Sequence, residues 1–375
     1  MKFALYDPQQ MTGELWQAYM ALRNARSIYD DPFFDPDFAR LVAEVRSDTR
    51  FGFAIEAGET IGVWALHLRP GNWARPIGGP FSDWHGPILK QGSALSAAAF
   101  LSGLDISGMT TFAMMPQDAD LSAGLTRVGA NMTDLSMGWD DFIQQQQKLW
   151  PKHFKKMRRL YRNVERDFSS HTFNWDDTSE TSYQRLIALK RDQFARTGYH
   201  DVLKPEWVRG LLDRLRSYQG PRMRLRLVSL FYDDAHAASE LNLQSDKVLH
   251  GWLTGFERDL GQYSPGNMLV QEMLPHLPAE GLLTYDAGPG LDHYKRHYAN
   301  LQVPIDSGTL RGVDTSFAPT RMAGRAWRWG EQHMPSKAGE IMKRARRRMD
   351  QISLVETDLS GRMSGVINAI SQRDL

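Results

Sequence analysis

The sequence predicts a mixed α/β (α+β) fold that is divided into two lobes and a tail. Apolar residues recur with a helical period in some segments and with a two-residue period in others, and the two kinds of segment follow each other along the chain. A length of 375 residues is typical of two domains. We place the lobes at 1–150 and 151–312 and a basic helical tail at 313–375.

The composition excludes several classes of protein. The chain has 45 Lys+Arg and 44 Asp+Glu, so no overall field attracts nucleic acid, and a nucleic-acid partner is not expected. The lack of cysteine excludes thiol catalysis, disulfides and thiolate metal sites. No apolar run approaches the roughly 20 residues that span a bilayer, and the apolar stretch at the N-terminus is too short for a signal peptide. We therefore expect a cytoplasmic protein.

The first lobe combines helices, a hairpin and an alternation of helices with strands. Helical spacing of apolar residues predicts helices at 14–29 and 36–46, and Ala57-Gly58 separates the two strands of a hairpin. The same criteria predict a helix at 93–104, a strand at 109–115, a helix at 118–128 and a strand at 133–139.

The second lobe begins with a basic helix at 152–166, which carries seven Lys/Arg and one acid around an apolar stripe. Its basic face is either simply solvated or binds phosphates. The order that follows is two helices, three strands and then alternating helices and strands. These elements are predicted at 182–197, 206–216, 223–232, 236–245, 247–256, 265–277, 282–285, from 291, and at 301–305.

The strand at 247–256 is predicted to be central, because both of its faces are largely apolar. Strict alternation places His250, Trp252 and Thr254 on one face, together with Val248 and Phe256. Gly251 and Gly255 fall on the other face, where they indicate the close approach of a ligand or of a packed helix.

A helix start follows this strand. Ser264 is a good N-cap and Pro265 a good first helical residue, and Gly266 is costly inside a first turn unless something approaches it closely. The N–H groups and the dipole at a helix start favour phosphate. We therefore expect Ser264, Pro265, Gly266 and Asn267 to bind a pyrophosphate, with simple capping as the alternative.

Three residues are candidates for acid–base chemistry. Asp286 ends a strand before Gly288-Pro289-Gly290 and is either a general base or a turn-forming residue. His250 is either a base or a core histidine, and Tyr294 either protonates a leaving thiolate or packs. No metal-binding or nucleotide-loop motif is present in the sequence, so no metal is expected.

These motifs resemble the CelD/BcsL group of GNAT-like acetyltransferases, which is associated with bacterial cellulose and other exopolysaccharide synthesis. The resemblance covers about residues 30–310 and rests on short motifs in a fixed order. They are Asp31-Pro32-Phe33-Phe34, Ser82-Asp83-Trp84-His85-Gly86, Lys190, Gln193, Arg196-Thr197-Gly198, Tyr263-Ser264-Pro265-Gly266, Asp286 with Gly290, and Tyr294-Lys295. The resemblance implies two GNAT-type lobes, similar to the Fem peptidyltransferases.

The resemblance also implies acetyl-CoA as the donor, with its pyrophosphate on the loop 258–267. Arg258 and Gly261 fit the usual acetyl-CoA loop pattern, whereas Tyr263 departs from it. We therefore expect Ser264–Asn267, more than Gly261, to bind the pyrophosphate. Substrate contacts are expected from Lys190, Gln193, Arg196, Asp83, His85 and Lys295.

The expected function is that of an N-acetyltransferase acting on an amino sugar or glycan precursor in polysaccharide biosynthesis, with peripheral contact to a membrane-associated synthesis complex. Two alternatives stay open. One is a Fem-like aminoacyl transferase using charged tRNA, which the basic helix 152–166 motivates. The other is a non-catalytic scaffold of a polysaccharide synthesis machinery, with the basic tail as its contact.

Overall fold

The computed structural model describes residues 1–116, 124–289 and 295–312, and short pieces at 329–330, 333–334, 349, 352–357 and 361–363. Its helices are α1 (Gly13–Asn24), α2 (Pro36–Val45), α3 (Ala97–Gly103), α4 (Trp139–Leu149), α5 (Pro151–Asp167), α6 (Glu180–Thr197), α7 (Glu206–Ser217) and α8 (Pro265–Met273). Short 3-10 turns connect several of them. The mixed α/β fold predicted from the sequence is confirmed.

The strands are β1 (Lys2–Tyr6), β2 (Thr49–Glu56), β3 (Glu59–Arg69), β4 (Trp73–Pro76), β5 (Ile88–Leu89), β6 (Gly108–Met114), β7 (Leu125–Asp134), β8 (His171–Asn174), β9 (Arg224–Tyr232), β10 (Ala235–Gln244), β11 (Val248–Phe256), β12 (Thr284–Asp286) and β13 (Leu301–Arg311). They form one sheet in the order β1-β2-β3-β4-β6-β13-β7-β12-β11-β10-β9-β8, with β5 beside β3. A single sheet therefore runs through both predicted lobes.

The sheet interleaves the two parts of the chain at its centre. β13, from the end of the second predicted lobe, lies between β6 and β7 of the first and is antiparallel to both. β12 pairs with β7 on one side and with β11 on the other. The division near residue 150 remains a prediction, and three strand pairings cross it: β6 with β13, β13 with β7, and β7 with β12.

The region around β7 differs from the sequence prediction. A helix was expected at 118–128 and a strand at 133–139, but residues 125–134 form β7 and residues 139–149 form α4. Residues 117–123 lie outside the described residues. The β7 conformation follows from pairing with β13, more than 160 positions later in the chain, and a local pattern does not contain that contact.

Helices cover both faces of the C-terminal part of the sheet. On one face, α2, α6 and α7 bury an apolar cluster that includes Leu186, Leu211 and Leu253. On the other face, α5 and α8 bury a second cluster that includes Leu160, Leu249 and Met273. The predicted apolar stripe of the basic helix is thus a packing surface, and its Lys and Arg side chains are exposed.

Most of the predicted basic tail lies outside the described residues, including the run 343–348. A described piece, 352–357, packs against both parts of the chain. Arg69 in β3 donates to the carbonyl oxygens of Ser353 and Thr357, and Trp207 in α7 donates to that of Val355 at 2.8 Å. Among the described residues, no helix combines the length and the apolar character needed to cross a bilayer.

From the position of β13 we expect Leu310, in this strand, to stabilise the first part of the chain. Leu310 is fully buried among apolar residues that include Ala54, Leu101 and Met109. We expect Leu310→Ala to lower the free energy of unfolding by about 2–5 kcal/mol, measured by urea denaturation. Leu301→Ala is the matched control in the same strand, because Leu301 is 42% exposed, and equal losses for the two variants would contradict this packing.

Candidate functional site

A cavity of about 570 Å³ lies where β12 ends beside β11. β12 pairs with β11 only from Val248 to His250, so residues 251–256 have no strand partner on that side in the described part of the chain. The wall combines residues from α6, from the first turn of α8 and from the segment after β12. They are Asp83, Lys190, Gln193, Glu240, Gly251, Trp252, Thr254, Phe256, Gly261, Ser264, Pro265, Gly266, Asn267, Val270, Ala287, Gly288, Pro289 and Lys295.

A bulge in β11 decides which side chains reach this cavity. Leu241 of β10 faces Leu253 and Asn242 faces Gly251, so Trp252 has no partner on β10. The extra residue reverses the alternation beyond it. The prediction that His250 and Thr254 share a face is therefore wrong: Thr254 points toward Glu240 on the α8 side, and His250 packs on Phe33 on the opposite side.

The two glycines of β11 serve different neighbours. A Cβ at Gly251 would lie 2.7 Å from the Tyr285 hydroxyl and 2.8 Å from Oε1 of Glu240. A Cβ at Gly255 would lie 3.0 Å from the Leu186 side chain of α6. The absence of a side chain at Gly255 thus allows α6 to pack against β11. At Gly251 it leaves room for the Tyr285 hydroxyl and the Glu240 carboxylate at the cavity wall.

The start of α8 faces the cavity without a side-chain cap. Ser264 occupies the N-cap position in a left-handed conformation with φ 54°, and its hydroxyl makes no capping hydrogen bond. Ser264 thus occupies the predicted N-cap position, but the alternative of simple side-chain capping is not realised, since only its backbone carbonyl oxygen accepts, from the N–H groups of Asn267 and Met268. The nearest atom to a Cβ built at Gly266 is 3.9 Å away. Open space, an N–H group and the positive end of the helix dipole meet here, and this combination suits an anion.

Glu240 is the carboxylate of the cavity that sequence reasoning missed. It lies in β10, is 2% exposed, and accepts hydrogen bonds from Thr254 at 2.6 Å and from Tyr285 at 3.0 Å. Burial raises the pKa of Glu240 above its usual value, although those two hydrogen bonds and the charge of Lys295 oppose the shift. A signal was present in the sequence, since Glu240 is an acid in the middle of the otherwise uncharged run Ala-Ala-Ser-Glu-Leu-Asn-Leu.

His250 is fully buried next to the cavity and does not line it. Its Nδ1 is 2.9 Å from Oδ2 of Asp31, and its Nε2 is 3.0 Å from Oδ2 of Asp83. Burial by itself would lower the pKa of His250, but the charges of Asp31 and Asp286 and the two hydrogen bonds raise it well above its ordinary value. A carboxylate oxygen lies within hydrogen-bond distance of each ring nitrogen, and this geometry suits a core histidine, one of the two alternatives from the sequence, better than a general base.

Asp286 also lies beneath the cavity wall and is fully buried. Its Oδ1 accepts from the Gly288 N–H at 2.7 Å and its Oδ2 accepts from the Trp84 indole, so it forms the turn that was the alternative to a base. Burial raises the pKa of Asp286 to about 6, against the lowering effect of His250. Asp286 connects β12 to the first part of the chain and has no contact with the cavity.

Asp31, His250 and Asp286 are close enough to hold a metal ion together, with ligand atoms within 4.8 Å of one another. The geometry is equally that of a closed hydrogen-bond network. Asp31 Oδ1 accepts from the Phe33 N–H, Asp31 Oδ2 from His250, and both Asp286 oxygens from the partners named above. The network satisfies these groups with protein partners alone.

The structure brings nine of the predicted site residues to the cavity wall. They are Gly261, Ser264, Pro265, Gly266, Asn267, Lys190, Gln193, Asp83 and Lys295.

Three further predicted residues lie away from the wall. Arg258 and Arg196 are exposed elsewhere. His85 is a core histidine, since burial lowers its pKa to about 4 and it bonds to Thr111 at 2.5 Å. Both of its sequence neighbours are buried as well, and a short sequence motif does not reveal this burial. Tyr294 lies outside the described residues.

One protein family matches part of the chain. Residues 151–296 match the family described as the acetyltransferase (GNAT) domain. This match includes β9 to β12, α8 and most of the cavity wall. The chain therefore carries a GNAT acyltransferase domain, and no curated protein sequence matches it.

Solved structures resemble the chain at low sequence identity. FemX is 10% identical with a TM-score of 0.52, and the match covers 82% of this chain and 96% of FemX. A tandem GNAT protein from the clavulanic acid biosynthesis pathway is 11% identical with a TM-score of 0.46, covering 84% of this chain and 99% of that one. The C-terminal domain of a proposed lysylphosphatidylglycerol synthetase from Agrobacterium fabrum is 14% identical with a TM-score of 0.47, covering 82% and 95%. Of these three structures, FemX alone has a TM-score above 0.5, and its likeness bears on the fold alone.

The charge network predicts a pH-dependent contribution of His250 to stability. Because the folded-state pKa of His250 is raised, its contribution is fully present below the unfolded value near 6.5 and is lost as the pH rises through the folded value. We expect the difference in unfolding free energy between the wild type and His250→Gln to shrink as the pH rises from about 6 to 9. Thermal unfolding at several pH values measures it, and a difference that grows with pH would contradict the network.

Proposed function

We propose that the protein transfers an acyl group from acyl-CoA, with acetyl-CoA as the donor, to an amine. The observation that supports this most directly is the edge of β11 that begins where β12 stops, which no strand of the described residues pairs and which leads to the open start of α8. Unpaired backbone N–H and C=O groups on a strand edge bind extended amide chains. The pantetheine arm of CoA is such a chain, and its pyrophosphate would reach the helix start.

The donor fits the cavity on physical grounds that are independent of the family match. Gly266 leaves room for a ligand beside the Gly266 N–H, and Gly261 has no atom within 4 Å of a Cβ position. Lys190 and Lys295 supply positive charge on the same wall. Burial lowers the pKa of Lys190, while the charges of Glu240 and Asp83 oppose that shift.

Glu240 is proposed as the general base. A carboxylate whose pKa is raised by burial is better matched to an amine near neutral pH than an exposed one. Glu240 takes one proton from the acceptor ammonium, and the free amine attacks the thioester carbonyl. The C–N bond forms, the C–S bond breaks, and the second amine proton passes to the departing thiolate. Tyr294, expected to assist that last transfer, lies outside the described residues.

The acceptor class is proposed from the resemblance to the CelD/BcsL group and from the cavity wall. Trp252 and Phe256 present aromatic surface there, and aromatic rings are suited to packing against the apolar faces of sugars. An amino sugar or glycan precursor used in polysaccharide synthesis is therefore the proposed acceptor, on a route that includes a membrane-associated synthesis complex.

The basic face of α5 supports a second candidate, aminoacyl transfer from charged tRNA. Six basic side chains of this helix are exposed and form no ion pair with the described residues: Lys152, Lys155, Lys156, Arg158, Arg159 and Arg162. The helix packs beside the 3-10 turn at Arg258–Tyr263, which contributes Gly261 to the cavity wall. Binding of charged tRNA with a steep salt dependence, without binding of CoA, would favour this candidate.

The donor site is tested by Gly266→Asp. A carboxylate at the start of α8 would repel a pyrophosphate, so we expect the Kd for CoA to rise by at least about tenfold in isothermal titration. Gly13→Asp is the matched control, because Gly13 also lies in the first turn of a helix and its Cβ position is also open. Unchanged CoA binding by Gly266→Asp, or no CoA binding by the wild type, would contradict the donor site.

The base is tested by Glu240→Gln. We expect kcat for acetyl transfer to fall by about 10²–10⁴ while the Kd for CoA stays nearly constant. In the wild type, kcat/KM should decrease as the pH is lowered through a pKa that lies above the usual value of glutamate. Glu272→Gln is the control, since Glu272 is partly buried and, like Glu240, accepts from a tyrosine hydroxyl, that of Tyr161 at 2.7 Å, but lies outside the cavity. A rate that survives Glu240→Gln would exclude Glu240 as the base.

A further inference from the structure

The N-terminal part of the chain contributes one carboxylate to the cavity, that of Asp83. Residues 81–89 are all buried except Asp83, which is partly exposed and lines the cavity wall. The Ser82 hydroxyl donates to the Trp84 carbonyl oxygen at 2.7 Å and fixes the turn that directs Asp83 outward. A segment that is otherwise core thus extends a single charged group into the acyltransferase domain.

One hydrogen bond holds that carboxylate directly, and contacts of the neighbouring residues fix its surroundings. His250 donates from Nε2 to Asp83 Oδ2 at 3.0 Å, and Asp31 holds the other nitrogen of the ring at 2.9 Å. Trp84, the next residue, donates to Asp286 at the end of β12. Gly288 has φ +79°, and a Cβ at that position would lie 3.0 Å from Asp83 Oδ2. The position of Asp83 is therefore set by β11 and β12 of the acyltransferase domain.

These contacts leave one oxygen of the Asp83 carboxylate available to a ligand. Its only hydrogen bond to the described residues uses Oδ2, and Oδ1 accepts none of theirs. The two cavity lysines have other acceptors, Lys190 at Gln193 and Lys295 at the carbonyl oxygen of Pro289. A fixed carboxylate with an open oxygen in a cavity is suited to a charged N–H donor, because such hydrogen bonds are stronger than neutral ones.

We propose that Asp83 binds the acceptor as its protonated amine and that His250 is a positioning residue that holds Asp83 in place. The acceptor class is a primary amine that enters as an ammonium ion, and the acceptor side of the site is incomplete without the N-terminal part of the chain. This inference rests on the acyltransferase function proposed above. Asp83 orients the ammonium by accepting one N–H, and Glu240 takes the proton that starts the reaction.

The test uses the full chain with acetyl-CoA and three probe amines: glucosamine, glycinamide and n-butylamine. For Asp83→Asn we expect the KM for the amine to rise by at least about tenfold, with kcat changed much less and the Kd for CoA unchanged. Asp213→Asn, an exposed residue of α7, is the control and should match the wild type. Hydrolysis of acetyl-CoA without amine should be the same in Asp213→Asn as in the wild type.

The positioning role of His250 is tested by a double variant. His250→Gln should raise the KM for the amine, and adding it to Asp83→Asn should raise KM no further, because His250 acts through Asp83. Independent, additive effects on KM would overturn that role. A wild type that binds CoA but acetylates none of the three amines, or an Asp83→Asn variant with unchanged KM, would overturn the acceptor assignment and leave the donor site intact. Loss of CoA binding by the wild type would instead refute the proposed function itself.

Discussion

The shortness of β12 is the constraint on which the site depends. Three residues suffice to pair β7 with β11 and so to join the two parts of the sheet, and the strand then stops at Asp286. Had β12 continued, it would have satisfied the backbone of residues 251–256, and the edge that faces the cavity would be closed. The Asp286 side chain enforces the stop, because it accepts from the Gly288 N–H and turns the chain away.

The buried charges are organised around the same point. His250 lies at the last paired position of β11, opposite Asp286, and is surrounded by carboxylates from both parts of the chain. A lone imidazolium in this environment would be very costly, so the acids and the histidine are retained as a unit. The network stabilises the junction and at the same time leaves Asp83 and Glu240, two carboxylates with different surroundings, at the cavity.

Local patterns in the sequence predicted much of the second half. The helix pair α6 and α7, the three strands β9 to β11 and the helix start at Pro265 were all predicted, because their apolar spacing and turn residues are local. The insertion of β13 between β6 and β7 was not predicted, since it depends on contacts between distant segments. The bulge at Trp252 changed the site more than any misplaced element, because one unpaired residue moved Thr254 to the face opposite His250. Glu240 was missed because a single acid in a strand is more often a surface residue than a buried one.

The place of β13 in the sheet also constrains the order of events during synthesis. β6 and β7 leave the ribosome well before residues 301–311, and the strand that separates them in the sheet arrives only after the whole acyltransferase domain has been made. At usual rates of translation the delay is on the order of ten seconds or more. During that interval two strands of the N-terminal part have unpaired edges, which are sites for wrong pairing. The part of the sheet that contains β6 and β7 is therefore completed only after β13 has been synthesised at the end of the second half.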